Sequence, residues 1–373
     1  MWNSTKISTK KDLINYISEK SYKKIFVITG QNSFNKSGIS KIFNLSFHEK
    51  KIKFFFKNSS IPIITELKKI IKSIKIFKPD LIIAAGGGSV IDYAKMANII
   101  KLGECNRINI IRSRLNFIKR SKLIVIPTTA GSGAEVTSNA VIYINKIKYS
   151  VESEKLIPDS FFLIPDYVWG VKKSIKSSAG FDAISQSIES IMSLKSTKES
   201  LKYAKKSLNI SLKNYLDFYN KSSNFNTSAM CLAANLSGKA INISKTIAPH
   251  AVSYPFSAYY KLSHGHAVSL NLEKFLLFNF INLEKSSASF DLLLRYKILF
   301  KIFGVKNIFE LCKKINFLKK QTNLIDNYKK LGINIDSNIN RILGGINLLR
   351  LKNNPIKLDH SALKKILISD VNF

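Results

Sequence analysis

The sequence predicts an α/β half followed by an all-helical half, and three observations carry that prediction. Short apolar, β-branched runs recur through the first part of the chain and close on glycine or a turn. One of them, Asp80 to Ala85, runs directly into Gly86-Gly87-Gly88-Ser89 and then into a helical pattern. Past about Tyr167 the strand-like alternation disappears and apolar residues recur at spacings of three and four. A boundary near Pro165 therefore divides the chain into an α/β domain, residues 1–166, and an all-helical domain, residues 167–373.

The elements follow in order. Residues 23–30, KKIFVITG, read as a buried strand ending in a turn, and residues 52–56, IKFFF, as a second strand. Pro62 to Ile76 has helical spacing, Asp80 to Ala85 is a third strand, and a helix runs from about Ile91 to Ile100. Between these last two lies the glycine run. Glycines let backbone N–H groups approach an anion closely, and the first turn of the following helix adds unpaired donors and a positive dipole end. The placement between strand and helix thus points to a phosphate. Leu123 to Ile126 is another strand, leading into PTTAGSGAEVTSNAVI, where Thr128, Thr129 and Ser132 set hydroxyls at a strand's carboxyl end, the edge where ligands sit in an open parallel sheet. A polar loop in which Ser132 or Thr137 merely caps a helix is the plainer alternative. The second half reads as helices, among them Asp182 to Met192, Leu201 to Leu216 and Met230 to Ile243.

With 373 residues and 45% hydrophobic content the chain is long enough for two cores. The amino-terminal MWNSTKISTKKDL lacks the apolar core of a signal peptide, and no run of about eighteen uncharged apolar residues occurs, so a cytoplasmic protein with no membrane partner is expected. Cys105, Cys231 and Cys312 lie far apart and form no CxxC, which argues against disulfides and zinc-thiolate sites. The formal net charge of +35 would attract polyanions. Its lysines are nevertheless spread along the whole chain instead of gathering in a tail, stripe or recognised module. The excess is read as compositional bias, with no nucleic-acid partner, although a basic surface would also steer a phosphate-bearing substrate.

Three of the five histidines, His250, His264 and His266, fall within Ala248 to Val268. Imidazole is the commonest ligand of catalytic divalent metals, which also take carboxylates. Upstream, GFDAISQSIES places Asp182 and Gln186 four residues apart, one turn of a helix on one face. Asp182, Gln186, His250 and His264 form a candidate metal cage. The spacing alone leaves open that these histidines are ordinary core or surface residues.

With those residues in hand, the sequence resembles the iron-containing alcohol dehydrogenase family, whose superfamily includes dehydroquinate synthase and glycerol-1-phosphate dehydrogenase. The resemblance covers essentially the whole chain. It rests on GGGSVIDYAK at 86–95, IPTTAGSGAEVTSNAVI at 126–142, KYSVESEKLIPD at 148–159, GFDAISQSIES at 180–190, and His250 followed fourteen residues later by His264. It implies a Rossmann-like parallel-sheet domain and an all-helical domain carrying metal and substrate. It implies that Gly86, Gly87, Gly88, Ser89 and Asp92 hold a dinucleotide pyrophosphate, and that Thr128, Thr129 and Lys148 also contact the NAD(P)H. Asp182, His250 and His264 match three of four metal positions, for Fe(II) or Zn(II). The fourth, usually histidine, is Gln186, a poorer ligand by its neutral amide oxygen. The family's extra histidine four residues after the first histidine ligand is Tyr254, so the proton relay must differ, and Tyr254 or His266 is the candidate to run it. Where NAD-preferring relatives carry an acidic residue after the first strand, Gly30 stands here, and acceptance of NADPH is expected.

Within the family, GFDAISQSIES, ISKTIAPHAVSYP, HGHAV and LKNNPIKL look most like the phosphonoacetaldehyde reductase branch, which implies reduction of phosphonoacetaldehyde to 2-hydroxyethylphosphonate. Another short-chain alcohol or aldehyde dehydrogenase, or a polyol-phosphate dehydrogenase of the same fold, is the alternative within enzymology. From another class, the chain would be an inactive nucleotide-binding homologue, a reading that Gln186 and Tyr254 motivate. The expected partners are a small aldehyde or alcohol, with or without a phosphonate, and further copies of the chain in a homo-oligomer.

Overall fold

The computed structural model describes residues 6–47 and 49–369. The chain forms two compact units, Met1–Lys172 with Ser222–Asn235, and Lys173–Lys221 with Leu236–Phe373.

The first unit is built on a five-stranded parallel sheet. Its strands are β1 (Lys24–Gly30), β2 (Lys51–Lys57), β3 (Leu81–Gly86) and β4 (Lys122–Pro127), with β5 (Asn139–Ile144) and β6 (Ile147–Glu152) forming a separate hairpin and β7 (Ser160–Phe161) completing the sheet. The order is β2-β1-β3-β4-β7, every pair parallel. A parallel sheet is covered on both faces, so its inner strands are largely apolar, with β2 at the edge more exposed, and the pleat decides which face each residue serves. Phe26, Ile28, Ile82, Ala84, Leu123 and Val125 join one core with the helices Ile64–Phe77 and Gly88–Ile99. Their neighbours Ile25, Val27, Leu81, Ile83, Ile124 and Ile126 join the other, with Leu13, Ile17, Phe34 and Phe43. Each such fully buried aliphatic or aromatic side chain contributes about 2 kcal/mol.

The strand order has a consequence for ligand binding. From β1 the chain crosses to one side to make β2 and then to the other to make β3, so the crossovers diverge between β1 and β3. Gly30 and Gly86 end these two strands, and the crevice at such a switch point is where ligands sit. The β5–β6 hairpin, which has no counterpart among the elements read from sequence, turns on Asn145 and Lys146, both at positive φ (51° and 64°). Two such residues in succession match the right-handed twist of the strands.

The second unit is helical. Its central helix, Lys173–Met192, is buried along almost its whole length although it is rich in polar residues. Burial of that kind is stable only when every polar group has a partner. Ser185 and Ser187 donate back to the carbonyls of Phe181 and Ala183, Ser187 meets Ser207 at 2.8 Å, and Ser190 accepts from Ser244 at 2.8 Å. These small side chains also allow neighbouring helices to come close. A further apolar core, with Ala251, Val252, Phe256, Ala267, Leu270 and Ile342, joins the later helices. Among the described residues no helix is long and apolar enough to cross a membrane.

Lys319 is wholly buried in this unit, bonded to Glu273 and to the Ser269 carbonyl, with Asp326 at 3.4 Å. Removing one partner of a buried pair strands the other's charge. Lys319→Met is expected to cost about 3–5 kcal/mol, lowering the thermal midpoint by roughly 10 °C. The double variant Lys319→Met/Glu273→Leu should recover most of that loss in the same melting experiment.

Candidate active site

At the end of β3 the chain turns through Gly86 and Gly87 into the helix Gly88–Ile99, and no side chain caps that helix. Its first-turn N–H groups are therefore directed at the space above the loop. Space explains the glycines. A Cβ at Gly86 would lie 2.6 Å from Val90 Cγ2, one at Gly87 would meet Thr129 Oγ1 at 3.3 Å, and one at Gly88 would meet Ser132 Oγ at 2.9 Å. The structure thus brings the glycine loop against the hydroxyl-bearing segment after β4, and the Thr128 N–H donates to the Gly86 carbonyl at 3.1 Å. Ser89 lies half-buried in the first turn of the same helix.

One turn on, buried Asp92 accepts from the Val141 N–H at 3.2 Å, linking the helix to the β5–β6 hairpin. Burial pushes its carboxyl up to about 6 despite the pull of Lys95 and Lys148, so Asp92 and Lys148 share one electrostatic environment. Lys95 has a role that its motif alone did not reveal. Fully buried, it donates to the carbonyls of Ala134, Thr137 and Asn139 and to the Thr137 hydroxyl at 2.7–2.9 Å. That single ammonium shapes the turn between the hydroxyl segment and the hairpin.

The second cluster lies in the helical unit. Asp182 sits in the central helix, His250 in the first turn of the helix Ala248–Tyr260, and His264 at the start of the next, His264–Ser269. One potential ligand atom from each comes within 4.8 Å of the others. Two imidazoles and a carboxylate at that spacing suit Fe(II) or Zn(II), and the site tests well in a further respect. His250 Nδ1 is taken by Glu189 Oε1 at 2.5 Å while its Nε2 faces Asp182 Oδ1 at 3.3 Å. A histidine held at one nitrogen by a carboxylate presents the other as a metal ligand. Burial disfavours the imidazolium, but Glu189 and Asp182 outweigh it and raise His250 to about 9, so a metal entering there displaces a proton.

Glu189 is fully buried and also accepts from the N–H groups of Ile247 and His250, at 2.9 and 3.4 Å. It stands seven residues after Asp182, two turns along the same helix face, and that spacing was the available signal for it. Gly265 is the other residue without which the cluster could not form. A Cβ there would lie 1.9 Å from the Ser178 carbonyl oxygen and 3.0 Å from Asp182 Cβ, so only glycine lets the His264 helix approach the central helix this closely.

The remaining sequence candidates fall as follows. Gln186 Nε2 donates to Asp182 Oδ2 at 3.2 Å and its oxygen accepts from Ser237 at 2.9 Å. In this arrangement the atom turned to Asp182 is nitrogen, which has no lone pair for a metal. Tyr254 is buried with its ring stacked on His264, centroids 6.0 Å apart. Burial raises its phenol, with Glu189 and Asp182 adding to the rise and Arg350 opposing it. Arg350, which sequence reasoning did not single out, is thus close enough to act on this site. His266 is outside the three-residue cluster, with its Nε2 on the Ile325 carbonyl at 2.7 Å.

A glycine loop at a sheet switch point, in a chain that also brings an aspartate and two histidines within metal-ligand distance of one another, is the combination that suits a dinucleotide- and metal-dependent enzyme. The chain belongs to the iron-containing alcohol dehydrogenase family: residues 5–165 match the model of that family and residues 176–371 that of its C-terminal domain. Among curated proteins it is 27% identical over 206 residues to the 4-hydroxybutyrate dehydrogenase of Clostridium kluyveri, covering 54% of this chain and 55% of that one. It is also 27% identical over 219 residues to the phosphonoacetaldehyde reductase of Streptomyces viridochromogenes, covering 56% and 55%. The aligned part thus spans about half the length of these relatives. The fold matches an archaeal halo-thermophilic alcohol dehydrogenase from a Red Sea brine pool, with a TM-score of 0.85 at 19% identity over 98% of this chain and 96% of that one. It also matches a sulfoacetaldehyde reductase from Bifidobacterium kashiwanohense solved with NAD+, with a TM-score of 0.80 at 23% identity over 98% of each chain.

Glu189→Gln should weaken Zn(II) binding by about 10–100-fold in a chelator-competition titration. Gly265→Ala should weaken it at least as much, because the added methyl drives His264 off the central helix. Wild-type affinity in both variants would contradict this account of the cluster.

Proposed function

We propose that the chain reduces a small aldehyde to the alcohol with NAD(P)H at the Asp182–His250–His264 centre, and that its substrate carries an anionic phosphonate, phosphonoacetaldehyde being the best candidate. The buried cluster with Tyr254 packed on it is the observation that supports the reaction class. The cationic Arg350, whose charge acts on Tyr254, together with the likeness to the phosphonoacetaldehyde reductase, supports the substrate.

When bound, the nicotinamide supplies hydride and the metal supplies Lewis-acid polarisation of the carbonyl. The protein's residues do the rest. Asp182, His250 and His264 hold the ion, and Glu189 fixes the imidazole of His250. Gln186, anchored by Ser237, orients Asp182 through its amide N–H. Tyr254 keeps its proton at neutral pH and supplies it to the product oxygen as hydride reaches the carbon, being reprotonated from solvent. Arg350 pairs with the phosphonate through charge-assisted hydrogen bonds. His266 is engaged with the Ile325 carbonyl and serves as a loop anchor.

A reductase of uncharged or carboxylate-bearing short aldehydes is the second reading, favoured by the likeness to 4-hydroxybutyrate dehydrogenase. Metal-stripped protein reloaded with Fe(II), Zn(II) or Mn(II) decides between them when phosphonoacetaldehyde, propionaldehyde and succinic semialdehyde are compared for NAD(P)H oxidation. Metal-dependent turnover selective for the phosphonate is expected. Arg350→Ala should then lower kcat/KM for phosphonoacetaldehyde by about 10–100-fold and leave propionaldehyde nearly unchanged. Tyr254→Phe should lower kcat by about 100-fold for every aldehyde. Equal turnover of all three aldehydes would remove the phosphonate reading, and no turnover with any metal would remove the reductase.

A further inference from the structure

In a doubly wound sheet, the residue that reads the adenosine ribose lies at the carboxyl end of the strand next to the one carrying the phosphate loop. Here the phosphate loop follows β3, and its neighbour across the switch point is β1, which ends at Gly30. An acidic side chain at that place would bind the ribose hydroxyls and repel a 2′-phosphate, and glycine does neither. What fills the space beside Gly30 is the informative feature.

The next strand out, β2, is in parallel register with β1 and sets Lys57 opposite Gly30. A Cβ built on Gly30 would lie 4.0 Å from Lys57 Cε and 3.4 Å from Ser33 Oγ. The stem of Lys57 therefore runs beside the place that an acidic side chain at position 30 would occupy, with a hydroxyl next to it. The ammonium is half-buried and anchored by one hydrogen bond, to the Ser59 carbonyl at 2.7 Å. An ammonium has three N–H groups, and among the described residues no carboxylate lies within ion-pair distance of this one.

Glu66 is near enough to be felt, but its carboxylate is engaged elsewhere. It accepts from the Asn58 and Ser59 N–H groups at 2.6 and 3.2 Å and from the Tyr93 hydroxyl at 2.8 Å. Glu66 thus holds the loop that in turn holds Lys57. Many lysines of this chain lie exposed on helices, as Lys68, Lys72 and Lys75 do. Lys57 differs in being partly dehydrated, fixed by a hydrogen bond and placed at the ligand-binding edge of the sheet.

We propose that Lys57, with the Ser33 hydroxyl beside it, reads the 2′-phosphate of an NADP-type dinucleotide, and that Gly30 leaves the room for that phosphate. This makes Lys57 the residue that sets cofactor choice, and it rests on the dinucleotide-binding part of the proposed function.

Binding of NADPH, NADH, 2′,5′-ADP and 5′-ADP to the full chain, followed by calorimetry or nicotinamide fluorescence without any aldehyde, tests it apart from turnover. Wild-type protein is expected to bind NADPH at least tenfold more tightly than NADH, and 2′,5′-ADP more tightly than 5′-ADP. Lys57→Met should weaken NADPH and 2′,5′-ADP tenfold or more while changing NADH less than twofold. Lys57→Arg should restore most of the difference, Ser33→Ala should reduce it, and Gly30→Asp should invert it. Equal wild-type affinities for the two dinucleotides, or a Lys57→Met variant that weakens both alike, would overturn the assignment while leaving dinucleotide binding intact. Failure of either dinucleotide to bind would overturn both.

Discussion

The candidate metal centre depends on one buried contact, between Glu189 and His250. Glu189 is withdrawn from water on the central helix, and a bare carboxylate there would be costly. It is satisfied by the imidazole and by two N–H groups at the start of the helix Ala248–Tyr260. One side chain therefore both orients the candidate ligand and caps the start of the helix that carries it. That arrangement leaves His250 Nε2 aimed at Asp182, and Gly265 then admits His264 from the far side. The chemistry expected of the site is a consequence of this packing, since the ligand types are present in many proteins that assemble nothing.

The cofactor side depends on space and on a buried cation. Val90, Thr129 and Ser132 leave no room for side chains in the glycine loop, which keeps its backbone donors open to an anion. Lys95 gathers four oxygens from the turn that follows the hydroxyl segment, and its buried ammonium is tolerated there because the carbonyl dipoles solvate it. Nearby, Asp92 sits at the opposite extreme, a carboxylate whose burial draws it toward the neutral form. Closely packed surroundings of this kind suit a site that must hold a charged ligand in one orientation.

Much of this was legible in the sequence. The buried strands announced themselves because a parallel sheet demands unbroken apolar runs, and the helical half because its apolar spacing changes after Tyr167. The glycine loop was legible because strand, glycines and helix occur in succession, so a local pattern defines it. Asp182, His250 and His264 were legible as ligand types at suggestive spacings. The hairpin at Asn139–Glu152 was not, since its turn residues Asn145 and Lys146 carry no strong turn signal. Glu189 lay within a recognised motif and went without a role because acidic residues on helices are ordinarily solvated. Ser237, Arg350 and Lys57 bore no local mark at all.

The sequence by itself determined the fold class, the family, the candidate phosphate loop and the residue types of the candidate metal cluster, because each is written in neighbouring residues or in a fixed period. Only the tertiary structure decided which polar groups become partners. It set Glu189 behind His250, Ser237 behind Gln186, Arg350 near Tyr254 and Lys57 beside Gly30. It also set His266, a relay candidate by sequence, onto the Ile325 carbonyl. These pairings join residues far apart in the chain, and their strength comes from burial, which exists only after the elements have packed.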